Sequence, residues 1–267
     1  VLNRKEALVL FGGTGIATFA TLLIGCGGGG ADGGGATSLL PSASPSPTAS
    51  TGASASPTPT PTPTASASPV AVDCVAAPAL TEGPYFVEEK LNRSDIRTDP
   101  ATGAVSAGIP LVLTLNLARV ADGCAPLAGA TVDIWHCDAA GLYSDEAANG
   151  TSGKKFLRGY QTTDANGQVR FTTIYPGWYS GRAVHVHFKV RLYAASGAET
   201  YEFTSQFFFD DSFTDTVYAK APYSSRGTRT TRNSNDGIYQ GGGSQLILPV
   251  TASGDGYAAT FTIGLTV

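Results

Sequence analysis

The chain has 267 residues, of which 42% are hydrophobic and 14% charged, with a net charge of −4. That length allows one or two domains. No run of three or more basic residues occurs, which argues against nucleic acid as a partner.

In chain order, residues 1–25 are expected to be an export signal. Arg4 and Lys5 give the positive start, and Ala7 to Ile24 is an uncharged, largely apolar run, marginal as a span because a membrane helix needs about 20 apolar residues. The run ends in Leu23-Ile24-Gly25-Cys26, which looks like a bacterial lipobox, so Cys26 is expected to carry lipid and to tether the chain to the cell envelope. A plain anchor, or a cleaved signal releasing a secreted or periplasmic protein, is the alternative. Residues 26–70 are a Gly-rich and then Ser/Thr/Pro-rich stretch with few apolar side chains. Such a composition cannot bury enough surface to offset chain entropy and is expected to be an unfolded linker.

Residues 71–267 are expected to form one domain, long enough for a sizeable core. Its cysteines are Cys74, Cys124 and Cys137, which permit one disulfide with one thiol left over and leave the pairing open. No Cys-x-x-Cys spacing suggests a zinc ribbon. Leu111 to Val120 alternates, with leucines at 111, 113, 115 and 117 on one face. Ala130 to Asp138 is β-branched and aromatic. After the turn signal Asp164-Ala165-Asn166-Gly167 come Gly167 to Pro176, Ala183 to Ala194, Thr200 to Asp210, Ser244 to Val250 and Gly256 to Val267, all read as strands. Asp211 to Tyr223 holds one short helix. Many short strands separated by Gly, Pro, Asn and Asp clusters predict an all-β fold, an antiparallel β-sandwich.

Two of the three histidines, His185 and His187, stand two apart in "AVHVHF". On a strand they project from one face, where paired imidazoles suit a single metal ion or form an ordinary solvated pair. The third, His136, is mid-strand in "IWHCD" and is expected to pack or hydrogen-bond.

Taken together, "EGPYF" (Glu82 to Phe86), "VDIWHCDAAGLY", "RGYQTTDANGQVRFTTIYPGWY" and "GRAVHVHF" resemble the intradiol ring-cleavage dioxygenases, which include the catechol and protocatechuate dioxygenases. The resemblance implies a β-sandwich holding one mononuclear non-haem Fe(III), with ligands at Tyr143, Tyr179, His185 and His187. It implies that Arg182, in Arg-x-x-His-x-His, is the active-site arginine, and that Gln206 lines the pocket. Tyr179 is preferred to its neighbour Tyr175 because it holds the family's position after Pro-Gly-x. Tyr85 either approaches the substrate or belongs to a structured turn, and Trp135 either walls the pocket or fills the core. The implied substrates are a catechol and dioxygen, and the product a muconate-type dicarboxylate. The chain lacks the helical N-terminal segment of catechol dioxygenases, so their dimer is not implied and oligomeric state stays open. The segment between Tyr179 and His185 is short, which predicts a more open pocket. The rival readings are a non-catalytic transthyretin-like binding module and a copper protein built on His-x-His.

Overall fold

In a computed structural model that describes residues 74–267, the alternating leucines become strand β1 (Pro110–Arg119). Leu111, Leu113, Leu115 and Leu117 are each buried to within 1%, and each contributes roughly 1.5–3 kcal/mol of burial. The export signal at 1–25, Cys26 and the linker at 26–70 lie outside the described residues.

Strands β2 (Ala125–Pro126), β5 (Gln168–Ile174), β8 (Thr251–Ser253) and β9 (Gly256–Leu265) join β1 in one sheet. The second sheet has the order β4-β3-β6-β7, from β3 (Thr131–Trp135), β4 (Arg158–Thr162), β6 (His185–Tyr193) and β7 (Glu199–Phe208). The sheets face each other across a core that includes Val132, Ile134, Phe171, Val186, Phe188, Phe207 and Ile263. This is the expected β-sandwich, antiparallel throughout except for one pair: β1 and β9 run parallel, from Leu111↔Tyr257 to Arg119↔Leu265.

Two other details differ from the sequence reading. Ser244 to Val250 is not a strand: residues Gly243–Leu246 form a 3₁₀ turn, and only Ile247 bridges β7, at Phe208. The glycines at 241–243 and Pro249, which has no N–H to donate, disrupt a ladder there. Strand β4 had no alternating apolar pattern to reveal it. The expected helix is α1 (Asp211–Tyr218), capped by Asp210, whose side chain accepts from Phe213 N at 2.8 Å. A single-turn helix, α2 (Gly237–Gln240), follows. No helix among the described residues is long and apolar enough to cross a membrane.

Strand β6 positions the site. Val186, Phe188 and Val190 point into the core, so His185, His187, Lys189 and Arg191 point outward, yet these too are buried. The cover is the irregular segment 81–93, a strap laid across the outer face of the second sheet. It is tied down by ion pairs Glu82–Lys189 and Glu88–Arg191, by the Phe86 ring under Lys189 Nζ (4.1 Å), and by a bridge between Asn92 and Tyr160.

Candidate metal centre

The turn after β3 carries Tyr143. Asp138 Oδ1 accepts from Ala140 N (2.8 Å) and Leu142 N (2.9 Å), and Gly141 takes φ 79°, which favours glycine. The loop between β5 and β6 carries Tyr179. These loops meet backbone to backbone: Gly177 N donates to Asp138 O at 3.1 Å. A Cβ at Gly177 would stand 2.4 Å from Asp138 O, and one at Gly141 would stand 2.2 Å from Trp178 O. Arg226 Nη1 donates to Trp178 O at 2.6 Å and its guanidinium lies over the Trp178 ring at 4.9 Å, which further fixes the Tyr179 loop.

The four expected ligands come together. Tyr143 Oη and Tyr179 Oη each lie 3.2 Å from His185 Nε2, and His187 Nε2 lies 3.1 Å from it. Donor atoms sharing one ion at bonds of about 2 Å stand roughly 2.8–3.3 Å apart, so these spacings fit a common metal. The protonation pattern fits as well. His185 Nδ1 donates to Ala183 O at 2.6 Å, which leaves a bare lone pair on Nε2. His187 Nδ1 is buried without a partner. Among the described residues no three His, Cys, Asp or Glu side chains cluster, so a metal held here takes its oxygen from phenols.

Burial sets the charge state of the metal-free cluster. It pushes the Tyr143 phenol well above its ordinary range and Tyr179 up to about 12, against the pull of the Arg182 charge on both. It also takes His185 down to about 3 and His187 well below its usual value, and Arg182 adds to both effects. Two neutral phenols and two neutral imidazoles therefore converge. A bound cation would reverse the phenol preference, since coordination deprotonates such ligands.

Around the cluster, Tyr85 stacks on Tyr143 (4.3 Å between centroids) and meets Tyr179 edge-on (6.3 Å). Trp135 lies flat against His187 (4.9 Å, 8° between planes). Arg182 donates through Nη2 to Gln206 Oε1 at 2.5 Å, and Gln206 pairs with His187 in the β6–β7 register. All the sequence-selected residues of this domain are thus neighbours. Tyr175 is not among them: it lies in the core with its hydroxyl on Thr214 Oγ1 at 2.8 Å. His136 lies just beyond β3, both ring nitrogens taken, Nδ1 by Cys137 O (2.8 Å) and Nε2 by Thr173 Oγ1 (2.6 Å). Sequence reasoning missed Asp236, Arg226 and Arg158. None stands at a ligand-like spacing from another reactive residue. Arg158 donates to Ser144 O (2.7 Å) and Tyr85 O (2.5 Å), joining the Tyr143 turn to the strap.

The β-sandwich thus brings two phenol oxygens from loops and two imidazole nitrogens from β6 into one cluster, a donor set of the kind that can hold a metal ion. A family model described as a dioxygenase matches residues 81–237. Catechol 1,2-dioxygenase 1 of Acinetobacter lwoffii is 30% identical over 136 residues, 42% of this chain and 41% of that protein, so the chain spans less than half the length of this curated relative. Among solved structures, an intradiol ring-cleavage dioxygenase from Tetranychus urticae is similar with a TM-score of 0.63 and 31% identity, over 73% of this chain and 96% of that one. The dioxygenase domain of a dioxygenase and carbohydrate-binding protein fusion from Streptomyces sp. SirexAA-E gives 0.53 and 28%, over 72% and 99%. The chain belongs to the intradiol ring-cleavage dioxygenase family.

Proposed function

We propose that this protein is a ferric-iron enzyme that opens a catechol-type ring between its two hydroxyl-bearing carbons with dioxygen, giving a muconate-type dicarboxylate. Both oxygen atoms enter the product, so the reaction needs no external reductant. The observation that carries this reading is the convergence of the Tyr143, Tyr179 and His187 donor atoms within 3.1–3.2 Å of His185 Nε2.

The donor set suits iron in its ferric state. Phenolate is a hard anionic ligand for a hard trivalent cation, and two phenolates leave one positive charge for a hydroxide to cancel, so the buried site need carry no net charge. When bound, the ion would supply Lewis acidity that draws electron density from the catechol ring. The chain's own groups divide the remaining work. Tyr143 is 1% exposed and held under Tyr85, so it serves as the fixed oxygen ligand. Tyr179 is the less buried phenol, and its Oη is the group available to take a proton from an incoming catechol. His185 is kept in one tautomer by Ala183 O, and Trp135 holds the His187 ring in plane. Arg182 offers a fixed positive charge to the negative charge that develops on the substrate. The strap and its aromatic residues keep bulk water from the donors.

The direct test is an iron assay and a visible spectrum of the purified protein, followed by oxygen uptake with a panel of catechols. Tyrosinate on ferric iron absorbs strongly in the visible, and Tyr143→Phe should lose or shift that band. A colourless protein with no iron, or one whose spectrum ignores Tyr143→Phe, would sink the proposal.

We also assign Cys26 the role of lipid anchor at the cell envelope, on the sequence Leu23-Ile24-Gly25-Cys26 alone. Growth with a labelled fatty acid should mark the wild type and not Cys26→Ser, and equal labelling of both rules the anchor out.

A further inference from the structure

Asp236 is 1% exposed and divides its two oxygens between two tasks. Oδ1 accepts from Ile238 N (2.7 Å) and Tyr239 N (3.1 Å) and so caps α2. Oδ2 faces the other way and accepts from Arg182 Nε (2.9 Å) and Ala183 N (2.6 Å). Ala183 is also the residue whose carbonyl fixes His185. One carboxylate thus ties the 236–240 segment to the residues that lead into the histidine strand.

The consequence for Arg182 is geometric. Nη2 is held by Gln206, which in turn donates from Nε2 to Thr81 O at 2.6 Å in the strap. Nε is held by Asp236. A guanidinium gripped on both Nε and Nη2 has lost its rotational freedom before any ligand arrives, and Nη1 is the nitrogen left to donate. An unrestrained arginine has substantial rotamer entropy to lose on ordering. Here that cost is met in folding. Gln206 alone could not do this, because a single contact at one corner of the fork leaves the side chain free to swing about it. The charge also matters. Arg182 lies close enough to act on both phenols and both imidazoles. A buried carboxylate beside it offsets a positive charge that would otherwise oppose a cation among those donors.

We propose that Asp236 is the positioning residue of this centre, holding Arg182 so that Nη1 meets the negative charge developing on the substrate. The inference rests on the catechol-cleavage reading above.

The test separates the capping task from the positioning task. Asp236→Asn keeps an oxygen for the α2 cap but sets an NH2 donor against Arg182 Nε and Ala183 N. Asp236→Ser also keeps a capping hydroxyl and simply removes Oδ2, and it replaces the first variant if that one fails to fold. Each is made in the wild-type and Arg182→Ala backgrounds. Turnover of catechol is measured per bound iron, and catechol affinity by anaerobic titration of the visible spectrum. In the wild-type background kcat should fall by about tenfold to a hundredfold, the scale of a misplaced catalytic group, while the anaerobic Kd changes by less than about threefold. In the Arg182→Ala background the same substitution should change kcat by less than about twofold, because the group it positions is gone. Equal losses in both backgrounds would make Asp236 a structural residue only and overturn the inference, as would an unchanged kcat in the wild-type background. If the wild-type protein itself neither keeps iron nor cleaves catechol, the underlying reading fails and this inference with it.

Discussion

Burial takes His136 down to about 4, and the two bonds to Cys137 O and Thr173 Oγ1 complete a neutral ring with no lone pair to offer. His185 is as buried, but its Nε2 is shared among two phenol oxygens and the Nε2 of a second imidazole, whereas His136 Nε2 is taken by the single hydroxyl of Thr173. That difference, and not burial, separates a packing histidine from a candidate ligand. The two-residue spacing of His185 and His187 was legible because strand geometry converts it directly into a shared face. Choosing two tyrosines from eleven was not legible from spacing, since their loops meet only through tertiary packing. His136 carries a pH prediction. Its folded pKa lies below the unfolded value of about 6.5. Between those values only the unfolded chain binds the proton, so stability falls as pH drops from 6.5 towards 4. The full effect is on the order of 3 kcal/mol. Asp133, which burial pushes up to about 6 against the pull of Arg191, has the opposite sign over the lower part of that window. The measurement is therefore the difference between wild type and His136→Gln in urea unfolding at pH 7 and pH 4.5. The variant should gain on the wild type by roughly 2–3 kcal/mol on acidification. Parallel stability curves would show that His136 is not held neutral.

At the scale of elements, the site depends on two loops and a strap more than on the strands. The strands announced themselves by alternation, as at Leu111 to Leu117, because one face of each is buried. The strap at 81–93 did not, because its hydrogen bonds and ion pairs go to side chains and strands distant in sequence, such as Lys189 and Arg191. The parallel β1–β9 pairing was equally hidden, since it joins elements far apart in the chain and leaves no local signal. The contact between the tyrosine loops gives the next prediction. Gly177→Ala would set a methyl 2.4 Å from Asp138 O and 2.5 Å from Ala139 O, and backbone carbonyls cannot swing aside as a flexible side chain can. Overpacking of this kind costs about 1–3 kcal/mol. Because it wedges apart the loops that carry Tyr143 and Tyr179, it should also lower bound iron. Gly181→Ala is the control, since a Cβ there meets nothing within 4 Å; its φ of 89° gives that variant backbone strain which Gly177 does not share, so faster loss at Gly177 reports the steric contact alone. Chelator challenge should strip iron faster from Gly177→Ala than from Gly181→Ala, and equal rates would mean that loop contact does not hold the centre.

Over the whole molecule, the bond that most constrains the unfolded chain lies away from the chemistry. Three cysteines in the domain left the pairing open, and the structure joins Cys74 to Cys124 across 50 residues, with Cys137 free and buried among the described residues. The closed loop runs from the segment before the strap to the turn after β1. It includes Tyr85 but none of Tyr143, Tyr179, His185 or His187. Chain entropy for a loop of that size corresponds to about 4 kcal/mol. The double variant Cys74→Ser/Cys124→Ser should therefore unfold at a markedly lower urea midpoint, with a stability loss approaching that figure. Its visible band in the absence of urea should match the wild type, because the four donors are fixed by loops and strands outside the crosslink. Loss of the band without urea would mean that the crosslink supports the site through the strap. An unchanged midpoint would mean that the native pairing of Ala76 and Ala77 with Gly264 in β9 holds this end of the chain with no help from the disulfide.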